Sequence, residues 1–239
     1  MLNPNVNETL PPENETNQTI PQNTSNGLIA YYPFDENAND YSGNGNNGIV
    51  NNATLVEGVI GNAYDFNAYS TSSININKTL ISNLSEYSLS MYFKRNISAP
   101  LFLDTIYSED IIILFYYAHE IEIDIDADII TYSSPNLLNG WHSLVLTKNN
   151  QNYSLYIDGS LTANDIFASS DRIVNNAMIG NALSRYFDGS SSKSFKGTID
   201  EFRVYNRILS ESEIRSLYDP VYNITVSELP PEPEKPSPV

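Results

Sequence analysis

The sequence predicts an all-β domain of antiparallel sheets closed by one short C-terminal helix. Three observations carry that expectation. Short runs with period-two hydrophobicity recur between clusters of Asn, Asp, Gly and Ser. No helical crossover separates one run from the next, and parallel pairing would need one. A single capped amphipathic segment stands at the end, from Ser210 to Tyr218.

Composition narrows the function classes. A chain of 239 residues is long enough for one sizeable core. Its formal charge of −17 argues against nucleic acid and anionic membranes, which would repel it. It contains no cysteine, so disulfides and thiol chemistry are excluded. No apolar run is long enough to insert in a membrane.

Taken in order, residues 1–26 mix proline with Asn, Thr and Glu and have no hydrophobic period, which predicts a linker. Four Asn-x-Ser/Thr sequons fall there, at Asn7, Asn14, Asn17 and Asn23, and suggest a glycosylated stalk on an extracellular or cell-surface protein. The folded domain is expected over 27–222. Gly27 to Asp35 forms a first strand and runs into a loop dense in Asn and Gly that ends at Gly48. Gly58 to Phe66 gives a turn and a strand, and Ser72 to Ile76 a further strand. Tyr87 to Phe93 alternates Tyr87, Leu89, Met91 and Phe93 against Ser88, Ser90 and Tyr92, predicting one buried and one polar face. From His119 to Asp128 five acids alternate with Ile and Ala, so Glu120, Glu122, Asp124, Asp126 and Asp128 would share one face of one strand. Trp141 to Thr147 and Tyr153 to Ile157 read as a hairpin, and Asp158-Gly159 as the turn into the next strand. Thr198 to Tyr205 alternates Ile199, Glu201, Arg203 and Tyr205 against Asp200, Phe202 and Val204. Ser210 and Glu213 form a capping box, with Leu209 and Ile214 as its hydrophobic staple. Residues 223–239 are rich in Pro and Glu and predict a second spacer, as if the domain were one module of a larger multidomain chain.

Several of these stretches resemble the laminin-G-like, concanavalin A-like lectin and glucanase domains. Gly197 to Ser210 follows that family's closing strand, Gly-x-Ile-Asp-Glu-x-Arg-x-Tyr-Asn-Arg-x-Leu-Ser. Tyr31 to Asp35, then Asp40, Ser42, Gly43, Gly45 and Gly48, follow its opening strand and loop. Gly58 to Phe66, the Trp141-His142 to Asp158-Gly159 spacing and Ala177 to Asn181 are similar to further family motifs. The resemblance implies a two-sheet jelly-roll sandwich. It also implies a structural calcium ion where the first loop meets the last strand, with Asp40 and Asp200 as the acids and Ser42 or Asn44 adding oxygen.

Three functional readings follow. The leading one is a non-catalytic module that binds a glycan or a cell-surface protein. Its ligand contacts are expected at Glu122, Asp124, Tyr92 and Tyr117, because tyrosine rings stack on sugars while acids accept their hydroxyls. A second is a glycoside hydrolase using the acids from Glu120 to Asp126, since glycosidases work with paired carboxylates; no glutamate closes that run, and no catalytic residue is assigned. The third is a structural subunit of a surface layer or filament. His119 and His142 have no nucleophile partner that spacing nominates, and His142 reads as structural.

Overall fold

The computed structural model describes residues 25–218, apart from 67–70, 97–102, 110, 117–118, 126–127, 139, 168–174 and 183–193. Fifteen strands among these residues form two sheets. They are β1 (Leu28–Tyr32), β2 (Gly48–Asn51), β3 (Thr54–Glu57), β4 (Asn62–Asp65), β5 (Ser73–Ile76), β6 (Glu86–Arg95), β7 (Leu103–Ser108) and β8 (Ile112–Tyr116). Then come β9 (Glu120–Ile125), β10 (Asp128–Ser133), β11 (His142–Asn149), β12 (Asn152–Ile157), β13 (Ser160–Ile166), β14 (Ala177–Ile179) and β15 (Gly197–Tyr205). The first sheet runs β13-β12-β11-β6-β15-β4-β3, with β1 also paired to β15; the second runs β10-β9-β8-β7-β14-β5-β2. Every ladder is antiparallel, and one isolated parallel bridge joins Thr105 and Ser194. This is an all-β jelly-roll sandwich with a single described α-helix, α1 (Glu211–Tyr218), and a short 3-10 turn at Pro135–Leu138.

The sheets stack face to face over one apolar core. Aromatic rings cross between them: Phe93 meets Phe115 at 5.4 Å, and Tyr107 meets Phe202 at 5.3 Å between centroids. One buried ion pair also spans the layers. Arg95, at the end of β6, bonds Asp104 on β7 at 2.8 Å and lies 4.1 Å over the Phe115 ring. Burial pushes the Asp104 carboxyl up, and the Arg95 charge opposes that shift.

A second cluster lies on the opposite side of the first sheet. Val145 and Tyr205 pack there with Leu209 and Ile214, flanked by Tyr156 and Leu217. The helix therefore covers the outer face of β6, β11 and β15, and the expectation of a polar open face on β6 is corrected. Ser88 donates to the Arg207 carbonyl at 2.9 Å. Tyr92 is 7% exposed, and its hydroxyl donates to the Leu217 and Tyr218 carbonyls at 2.5 and 2.8 Å. The capping box forms as its sequence pattern implies, with Ser210 N–H donating to Glu213 Oε2 at 2.8 Å.

Two-residue periodicity also fails in β15. A bulge between Asp200 and Arg203 sets two residues against Met91 of β6. Glu201 takes a positive φ of 53° to make it. Ile199, Phe202 and Val204 consequently all enter the inter-sheet core, although simple alternation puts Ile199 on the other face. Asp200 leaves the Phe202 face and lies beside Tyr92.

Candidate functional site

The bulge gathers a buried polar cluster beneath the helix. Glu201 accepts the Tyr31 hydroxyl at 3.2 and 3.1 Å and pairs with the Arg203 guanidinium, which lies 4.3 Å over the Tyr31 ring. Asp200 is fully buried. Its Oδ2 accepts the amides of Val59 and Ile60 at 2.9 and 3.1 Å, and its Oδ1 accepts the Glu201 amide at 2.8 Å. Burial pushes the Asp200 carboxyl up to about 7, and the amides pull against it. The Gly58–Gly61 turn is thus the one that caps the closing strand. A Cβ on Gly58 would sit 2.5 Å from Asp200 Oδ2, so only glycine allows this approach.

Asp40 performs a separate task. It accepts the amides of Tyr31, Ser42 and Asn46 at 3.0, 2.9 and 2.9 Å and organises its own loop against β1. These bonds hold its carboxyl below the usual range despite burial. Ser42 donates to the Ile29 carbonyl at 3.1 Å, and the Asn44 amide donates to the Leu28 and Ile29 carbonyls at 3.3 Å. Asp40, Ser42, Asn44 and Asp200 therefore do not fit one calcium shell: the acids serve different turns and share no partner. No cluster of three or more His, Cys, Asp or Glu suited to a metal occurs among the described residues.

The acid run is shorter than its sequence pattern implies. Strands β9 and β10 pair antiparallel, so Glu120, Glu122 and Asp124 belong to β9 while Asp128 opens β10 opposite Ile125. Asp126 and Tyr117 lie outside the described residues, as do Asn7, Asn14, Asn17 and Asn23. The strand is not an edge but lies between β8 and β10. Ile121, Ile123 and Ile125 enter the core, and the three acids stay half-buried on the outer face. Burial pushes Glu122 up, and the charges of Glu120 and Asp124 and a hydrogen bond with Glu120 add to the shift. A retaining glycosidase holds its carboxyls about 5–5.5 Å apart around the scissile bond. His142 is structural: its Nδ1 meets Asp158 Oδ2 at 2.8 Å and its Nε2 meets the Asn136 carbonyl at 3.0 Å.

Two open clefts lie along the first sheet, and no described residue lines both. One, of about 530 Å³, lies between the Asp158-Gly159 turn and α1 and is lined by Tyr156, Leu161, Glu211, Arg215 and Tyr218. The other, of about 630 Å³, has the only tryptophan of the chain, Trp141, as a wall. Glu57, Asp65, Lys94, Asn96 and Thr198 line it too, with Gly58 and Gly197. Strand register builds it: Thr198 pairs with Lys94 on one side and Asp65 on the other. The sequence marks Trp141 only as part of a hairpin pattern, because Lys94 and Asp65 reach it solely through pairings distant along the chain.

A family model described as the concanavalin A-like lectin/glucanases superfamily matches residues 67–215. Among solved structures, domain 4 of an extracellular arabinanase from Geobacillus stearothermophilus, solved with arabinotriose, superposes with a TM-score of 0.63 at 21% identity, covering 80% of this chain and 98% of that one. The binding domain of Paraclostridial Mosquitocidal Protein 1 gives 0.63 at 19%, over 82% of this chain and 52% of that one. The binding domain of botulinum neurotoxin DC, solved with rat synaptotagmin II, gives 0.61 at 15%, over 80% and 51%. The chain thus spans about half the length of these two toxin domains. At such identities the likeness is one of fold. No curated protein matches.

Proposed function

The chain belongs to the concanavalin A-like lectin/glucanase superfamily, and on that premise we propose that it is a non-catalytic recognition module binding glycans outside the cell. The observation that carries the reading is the Trp141 cleft. An aromatic ring beside Asp, Glu, Lys and Asn side chains in one open cleft forms a surface on which a sugar stacks and its hydroxyls are bonded. The arabinanase domain solved with arabinotriose supports this choice of ligand class. The toxin binding domains among the similar structures also favour recognition over hydrolysis. Calcium held by Asp40 and Asp200 is left out of the proposal, since their oxygens are committed to backbone amides.

The test is a glycan array followed by calorimetry on the hits, with the wild type and Trp141→Ala. The expected result is binding without turnover, weakened about tenfold or more by the substitution. Hydrolysis of a bound glycan, abolished by Glu122→Gln, would replace this reading with the enzymatic one.

A protein ligand has its own supporting observation. The other cleft gathers Tyr156, Tyr218 and Arg215 around Leu161, which is 54% exposed. Tyrosine and arginine are the residue types that anchor protein interfaces. Loss of protein capture in Tyr218→Ala, with glycan binding unchanged, would assign that cleft to a protein partner.

A further inference from the structure

The charges around the Trp141 cleft restrict what can enter it. Two of its cationic side chains are already committed. Arg95 is buried against Asp104 at 2.8 Å, and the Lys94 ammonium lies 5.7 Å from the Trp141 ring centroid, where the ring face attracts it. Opposing them are the carboxylates of Glu57 and Asp65, which line the same cleft. An incoming sulfate, uronate or sialate meets more carboxylate than available cation, on a chain of formal charge −17. Like charges a few ångströms apart at a partly wet surface repel, which disfavours such a ligand.

Everything else about the cleft suits an uncharged polyol. The indole face matches the C–H face of a pyranose, and Asp65 and Asn96 offer acceptors and a donor to hydroxyls. We propose that the Trp141 cleft selects an uncharged saccharide, one ring stacked on Trp141, and rejects sulfated, uronic and sialylated glycans. This selection rests on the reading of the domain as a glycan-recognition module.

The experiment uses the full chain produced without N-glycosylation, because Asn96-Ile97-Ser98 is itself a sequon and Asn96 lines the cleft. Calorimetry compares neutral oligosaccharides with sulfated or uronic counterparts of the same backbone. The expected result is binding of the neutral members only, with affinity flat between about 0.05 and about 0.5 M salt. Trp141→Ala loses about tenfold or more, while Trp141→Phe, which keeps a stacking ring, retains most of the affinity. The Glu57→Gln/Asp65→Asn double variant gains binding to the sulfated series, and melting curves of all variants establish that they fold. Tighter, salt-sensitive binding of the sulfated series by the wild type overturns the ligand class while leaving glycan recognition standing. Neutral binding indifferent to Trp141→Ala overturns the cleft assignment. Absence of any glycan binding overturns the recognition reading itself.

Discussion

Asp200 shows how one residue's surroundings reverse its expected behaviour. A carboxylate with three backbone amides would ordinarily titrate low. Complete burial outweighs them here and lifts it to about 7. Its folded value thus exceeds the ordinary unfolded 3.8, so the native state holds a proton that the unfolded chain releases. That contribution to stability is present below about pH 4 and is lost as pH rises toward about 7. Asp200→Asn cannot titrate, and its amide NH₂ would face the Val59, Ile60 or Glu201 amides. The expected outcome is a wild-type advantage in Tm over Asp200→Asn that shrinks from about pH 4 to about pH 7. A constant or widening gap would show that Asp200 is ionised throughout. The sequence names Asp200 as a residue needing compensation, but its partner turn lies about 140 positions away in the chain.

Helix α1 is legible in the sequence because its determinants are local. Ser210 and Glu213 cap it, and Arg207 bonds Glu213 at 2.6 Å, holding that carboxyl down at about 2. Ser210→Ala removes the acceptor for the Glu213 amide and is expected to cost about 1 kcal/mol. That corresponds to a Tm lower by about 2–4 °C in a chain of this size. An unchanged Tm would mean that packing on Val145 and Tyr205 alone holds the helix. Where α1 docks is not local information. The Ser and Tyr alternation of β6 reads as a wet face, yet Ser88 and Tyr92 serve as anchors for the segment from Arg207 to Tyr218. Likewise the acid strand reads as one ladder, because alternation alone does not reveal that Asp128 opens a second strand paired back on β9.

At the scale of the whole molecule, two sheets are joined by an apolar core and one buried ion pair. Asp104→Asn would leave the Arg95 guanidinium buried without its counter-charge, an expected loss of about 3–5 kcal/mol in denaturant unfolding. A loss under about 1 kcal/mol would mean that the Phe115 ring and neighbouring groups suffice for Arg95. Melting the wild type with calcium and with chelator tests the ion that the family resemblance implies. Equal Tm values are expected, since the acids proposed for it serve separate turns; a rise with calcium would place an ion on other donors. The sequence by itself determined the all-β class, the antiparallel pairing, the capped helix and the Asp158-Gly159 turn, because periodicity, capping and turn chemistry act between residues a few positions apart. Only the tertiary structure decided that a bulge turns Asp200 away from the core, that the helix closes the face of β6, and that Trp141 shares a cleft with Asp65 and Lys94. Those outcomes depend on which distant strands pair and in what register, and the free energy that chooses them comes from burying both sheets at once.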